Sequence, residues 1–201
     1  MDNSCLMLAM AFHTSVELSS ILEESDLTGY GIEKDPHITI LYAEGKRIEK
    51  ESILPSVNRI LGDDYRVFLE VLKDDYKFNV TDLFNLSVFE DGDSDYLILR
   101  LKENNELFKS LYNINKGLSE EHNVESKFNT YKPHLTIAKM IPGTARKYLD
   151  NRKLQLALSD SKIAFEDLVI SYDNEESKDD DKVWSVTTFH TIDRLFREKL
   201  D

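Results

Sequence analysis

The chain has little of what staples, breaks or anchors a fold. One cysteine, Cys5, among 201 residues excludes an internal disulfide framework and fits a reducing compartment. Four prolines and seven glycines leave no long linker and no low-complexity stretch to separate independent domains. Apolar runs are short. The run at 6–12 cannot span a bilayer, no basic region precedes it and no small-residue cleavage site follows, so it reads as a buried strand and not a signal peptide. No membrane partner is expected, and the cytoplasm is the expected location.

Basic residues are scarce as well. Lys and Arg number 25 against 38 Asp and Glu, a net charge of −13. A groove tracking many phosphates needs many Lys/Arg contacts, so this balance disfavours long duplex nucleic acid as a partner. The acid is unevenly spread. Residues 90–95 hold four acids and no base, and 173–181 hold six acids and one lysine, together nine of the thirteen excess negative charges. Both stretches read as solvated loop tips, and their spacing does not set the glycine and terminal glutamate where a calcium loop needs them. The remainder is mild enough for a cleft that takes a small nucleotide or an RNA end.

What is present is an ordinary globular core, with 41% hydrophobic residues. Runs rich in Val, Ile, Leu, Phe and Tyr predict strands at 5–12, 37–43, 65–72, 83–89, 96–102, 134–140, 163–172 and 182–192. Between them, Thr14-Ser15-Val16-Glu17 reads as a capping box opening a helix with Leu18, Ile21 and Leu22 on one face. Ile53, Val57, Ile60 and Leu61 mark a second helix, with Pro55 near its start and Gly62 ending it. A third spans about 105–122 with Leu107, Leu111, Ile114 and Leu118 in its stripe, a fourth lies within 144–158, and a tail helix covers 193–200. Trp184 and His190 read as structural residues of the last strand.

Two segments say nearly the same thing: Pro36-His37-Ile38-Thr39-Ile40-Leu41 and Pro133-His134-Leu135-Thr136-Ile137-Ala138. In a strand, His and Thr at i and i+2 share one face while the intervening apolar residues take the other. Two such strands side by side bring two imidazoles and two hydroxyls into one cleft. A histidine side chain titrates at about 6.5 in ordinary surroundings, so one can accept a proton while another gives one. Threonine hydroxyls can hydrogen-bond the non-bridging oxygens of a phosphate as charge builds on them. No metal or cofactor is needed for this chemistry, and Cys5 and His13 show no zinc-like spacing. The weak internal repeat predicts one 1–201 domain of two interlocked lobes, each with one His-x-Thr strand, in an antiparallel-rich α+β fold.

The paired motifs resemble the two signatures of the 2H phosphoesterase superfamily, which includes 2′–5′ RNA ligase-like proteins, cyclic phosphodiesterases and phage nucleases of host-defence cyclic oligonucleotides. Gly29 to His37, and Tyr131-Lys132-Pro133-His134 followed by Pro142-Gly143, most resemble the phage-encoded branch. The resemblance implies a two-lobed pseudo-symmetric fold, with antiparallel-rich sheets flanked by helices. It implies catalytic His37 and His134 and phosphate-binding Thr39 and Thr136. Many relatives carry an arginine where this chain has Lys139, which keeps the charge without the bidentate fork. Strict alternation from Thr136 turns Lys139 to the opposite face. Tyr42 and Tyr131 flank the motifs as candidates for stacking on a base. The implied activity is cleavage of a cyclic oligonucleotide signal, a cyclic phosphate or a 2′–5′ linkage, in the host cytoplasm if phage-encoded. RNA end processing or 2′–5′ ligation, and non-catalytic nucleotide capture, are the competing expectations. The sequence sets no oligomeric state.

Overall fold

Alternation of apolar and polar residues builds one antiparallel sheet, seen in a computed structural model that describes residues 2–14, 16–72, 78–125, 130–174 and 182–188. Its strands are β1 (Asp2–His13), β2 (Leu27–Ile32), β3 (His37–Ala43), β4 (Phe78–Asn79), β5 (Phe84–Glu90), β6 (Asp95–Leu101), β7 (His134–Met140), β8 (Lys162–Asn174) and β9 (Lys182–Thr188). The order across the sheet is β4-β8-β1-β3-β7-β6-β5, with β9 joined to β8 and β2 to β7. The helices are α1 (Lys50–Leu61), α2 (Asp64–Val71), α3 (Val80–Leu83), α4 (Glu106–His122) and α5 (Arg152–Ser159). The fold is α+β, a curled antiparallel sheet flanked by helices.

The two motif strands are neighbours at its centre. β3 has β1 on its other side, and β7 has β6. The arrangement repeats in detail. Met10 N–H donates to the Pro36 carbonyl at 3.0 Å, and Leu101 N–H donates to the Pro133 carbonyl at 3.0 Å. One face of the sheet carries Leu6, Leu8, Met10, Ile38, Ile40, Leu97, Leu99, Leu135 and Ile137, all buried in the common core. Helix α4 contributes Leu107, Leu111, Ile114 and Leu118 to that core. Asn105 caps its start by accepting from Leu107 N–H at 2.8 Å, and Asn123 ends it in the left-handed region at φ 51°.

Two local readings are corrected. Residues 65–72 form no strand; they lie in α2 and the turn after it. Phe68, Leu69 and Leu72 are buried at helical spacing, Arg66 pairs with Glu70 one turn on at 3.4 Å, and Val67 faces solvent. Aromatic and β-branched content suggested a strand, but the burial period belongs to a helix lying against α1 and α4. The segment after β1 forms no α-helix but two short 3₁₀ turns, Leu18–Ser20 and Glu24–Asp26. There Ser20 bonds the Glu17 carbonyl through both N–H and Oγ, and such local bonding competes with helix propagation. The helix expected within 144–158 is α5, which follows a separate 3₁₀ turn Ala145–Tyr148 and is opened by Asn151 accepting from Leu154 N–H at 3.1 Å. Expectations placed on Ser15 in the capping box, on 175–181, on the packing of Trp184, on His190 and on 189–200 lie outside the described residues.

Candidate active site

Ile38 of β3 stands opposite Leu135 of β7. In an antiparallel pair that register sets His37 across from Thr136 and Thr39 across from His134. Each histidine therefore faces the threonine of the other motif, and the two histidines occupy a diagonal of about 7–8 Å between Cα atoms. All four side chains lie on the face away from the core and are half-buried, while Ile38 and Leu135 between them are fully covered.

The imidazoles are held alike. His37 Nδ1 lies 2.7 Å from the Asp35 carbonyl and His134 Nδ1 lies 2.8 Å from the Lys132 carbonyl. A carbonyl oxygen only accepts, so each Nδ1 carries the hydrogen and each Nε2 is left for proton exchange. The lead-in segments that supply these carbonyls are pinned to the opposite strand. Glu33 N–H donates to the Ile137 carbonyl at 2.9 Å, and Tyr131 Oη donates to the Thr39 carbonyl at 2.9 Å. Glu33 then orders its own loop: one carboxylate oxygen accepts from Lys34 and Asp35 N–H, both at 3.0 Å, and the other from Tyr30 Oη at 2.7 Å. Burial, that hydrogen bond and the nearby carboxylates push the Tyr30 hydroxyl up to about 12. Burial pushes the Tyr131 hydroxyl upward too. The structure thus shows Tyr131 as a tie between the motif strands, with its hydroxyl already engaged.

Both motif strands break alternation at the same place. Thr39 and Leu41 oppose Met7 and Leu6, so Ile40 is a bulge; Thr136 and Ala138 oppose Ile98 and Leu97, so Ile137 is a bulge. Each bulge puts two consecutive residues into the core and returns the fifth residue after the histidine to the histidine's face. Those residues are Tyr42 and Lys139. The sequence reading that turned Lys139 away assumed unbroken alternation, and the bulge reverses it. Tyr42 is exposed at the Thr39 end. Lys139 lies at the Thr136 end with Nζ 5.4 Å from the Tyr96 ring centre. Asn115 of α4 donates to the Ile40 carbonyl at 2.7 Å, satisfying the acceptor that the first bulge frees.

The flanks differ. Ala9 and Met7 of β1 stand beside His37 and Thr39, whereas Arg100 and Ile98 of β6 stand beside His134 and Thr136. Arg100 pairs with Glu103 at 2.6 Å. It was not singled out from the sequence, because only the pairing of β6 with β7 brings it to the site. A cleft of about 290 Å³ opens beside Thr136, walled by Phe12, Leu18, Ser19, Glu33, Lys34 and Pro36. Among the described residues no three His, Cys, Asp or Glu side chains gather as a metal site.

The two His-x-Thr strands thus lie side by side on the open face of the curled antiparallel sheet of an α+β protein. No family model matches the chain, and no curated protein does. Among solved structures it is similar to Usb1 of Kluyveromyces marxianus, at 11% identity and a TM-score of 0.43, over 92% of this chain and 97% of that one. The same Usb1 with uridine monophosphate gives 12% identity and a TM-score of 0.41 over the same shares.

Proposed function

We propose that the protein is a metal-independent phosphodiesterase of the 2H type, acting on a small nucleotide substrate. The observation that supports this most strongly is the crossed square of His37, Thr136, Thr39 and His134, with both Nδ1 atoms bound to carbonyls and both Nε2 atoms left for the substrate. One Nε2 takes the proton of the attacking hydroxyl or water as its oxygen bonds phosphorus. The other histidine, protonated, gives its proton to the departing oxygen as that P–O bond breaks. Thr39 and Thr136 donate to the non-bridging oxygens, whose charge grows in the transition state. Charge is conserved, and the two histidines exchange protonation states in each turnover.

Degradation of a cyclic oligonucleotide signal is the favoured reading of the substrate. The end of an RNA strand, cleaved or joined through a 2′–5′ linkage, is the second, since it presents the same phosphodiester. Capture without turnover is the weakest reading: binding alone has no need of two imidazoles held in one tautomer. Purified protein incubated in EDTA with cyclic mono-, di- and trinucleotides and with RNA bearing a 2′,3′-cyclic phosphate, followed by mass spectrometry, tests the proposal. Conversion of at least one of these is expected. Turnover that vanishes in EDTA and returns with a divalent ion overturns the two-histidine mechanism.

A further inference from the structure

The face that carries the two histidines continues past Thr136 into a third cross-strand row. There Lys139 of β7 stands opposite Tyr96 of β6, and Tyr96 stands opposite Phe89 of β5. The two rings lie 6.0 Å apart between centres at 47°, and both are reached from solvent, Phe89 with 37% of its surface exposed. This row lies about 7 Å along the strand from Thr136, roughly the reach of one nucleotide. It is bounded beyond by the β5–β6 turn. Glu90 at the end of β5 is paired with Arg146 at 2.5 Å, and Asp95 at the start of β6 accepts from Gly143 N–H at 2.8 Å, so the unpaired negative charge at the tip between them is that of Asp91 and Asp93.

We propose that Lys139, Tyr96 and Phe89 form a subsite for one nucleotide next to the reacting phosphodiester, with Lys139 on its phosphate and the ring pair under its base. This deepens the phosphodiesterase reading and rests on it. An ammonium–phosphate contact is stronger than an exposed ammonium over a ring, so an arriving phosphate draws Nζ off Tyr96 and uncovers a face for stacking. A second phosphate further out meets Asp91 and Asp93, so the subsite ends after one nucleotide. The substrate class this defines is a short single-stranded or cyclic oligonucleotide of at least two residues, not an isolated cyclic mononucleotide.

Binding separates this subsite from the chemistry. Calorimetry with a 2′-O-methyl mononucleotide 3′-phosphate and with 2′-O-methyl di- and trinucleotides that likewise end in a 3′-phosphate needs no turnover. The wild type is expected to bind the dinucleotide at least tenfold more tightly than the mononucleotide, and the trinucleotide no better than the dinucleotide. Phe89→Leu, which keeps bulk and removes the ring, and Lys139→Ala are each expected to cut the dinucleotide advantage at least fivefold. An absent advantage, or one that both variants retain, overturns the subsite. A further tenfold gain from the third residue overturns its one-nucleotide limit. A wild type that binds in this pattern and cleaves nothing overturns the phosphodiesterase reading alone.

Discussion

At the scale of single residues, the site depends less on which groups are present than on what holds them. His37 and His134 are each tied through Nδ1 to a carbonyl two residues upstream, and neither carbonyl belongs to the sheet ladder of its own strand. Glu33 is therefore a positioning residue. Its carboxylate orders the loop that ends in the Asp35 carbonyl. Glu33→Ala is expected to lower kcat at unchanged thermal stability, and Glu33→Gln, whose amide oxygen still accepts from those N–H groups, is expected to recover most of it. A loss common to both variants would assign the effect to charge instead. Thr39→Ala and Thr136→Ala each remove one neutral donor, which corresponds to a rate loss of about tenfold. Steady-state kinetics on the folded variants reads these losses directly.

At the scale of elements, the motif strands were legible because a His-x-Thr strand with apolar residues between follows period two, and the bounds 37–43 and 134–140 match β3 and β7. The stripe of α4 was legible for the same reason at helical period. Tyr42 and Lys139 were both named beside the motifs, but strict alternation turned Lys139 to the wrong face, because both strands are bulged. The trace of it in the sequence is the apolar doublet after each threonine, Ile40-Leu41 and Ile137-Ala138, whose members are all buried. Arg100 and Tyr96 stayed hidden for a different cause. Strand pairing over long range decides their place, and pairing leaves no local signal. β2 was missed because Gly29 and Gly31 dilute its apolar pattern. Asn115 supports the first bulge from α4, so Asn115→Ala is expected to destabilise the protein by about 1 kcal/mol, measured by urea denaturation. It is also expected to reduce activity more than a surface substitution on α4 does, since the bulge sets the direction of Tyr42.

At the scale of the whole molecule, electrostatics divides the chain into a held interior and a repelling rim. Asp26 is buried, which alone raises its carboxyl. Hydrogen bonds from Lys147 and Tyr148, at 2.7 and 2.5 Å, and the charge of Lys147 outweigh that burial and hold it below its ordinary range. A carboxyl depressed in the folded state stabilises above its unfolded value and ceases to do so as pH falls through the lowered one. Folding stability is therefore expected to drop on acidification below about pH 4. Asp26→Asn is expected to be less stable at pH 7 and to show a flatter acid limb, with urea midpoints at pH 7 and pH 3 as the readout. This network ties the Ala145–Tyr148 turn to the segment before β2, and β2 in turn pairs with Ala138, Lys139 and Met140 of β7. Acid is thus expected to loosen the Lys139 end of the site before the His134 end.

The central claim is that His37 and His134 act together on one phosphodiester. Single-turnover rates in EDTA on a converted substrate, for the wild type, His37→Ala, His134→Ala and the double variant, test it most directly, with binding measured alongside by calorimetry. Each single variant is expected to lose about 10²–10⁴ in rate. The double variant should lose little more than either, as groups acting as a unit do, while affinity falls far less. Single variants that turn over like the wild type, or that lose affinity in step with rate, would contradict the account.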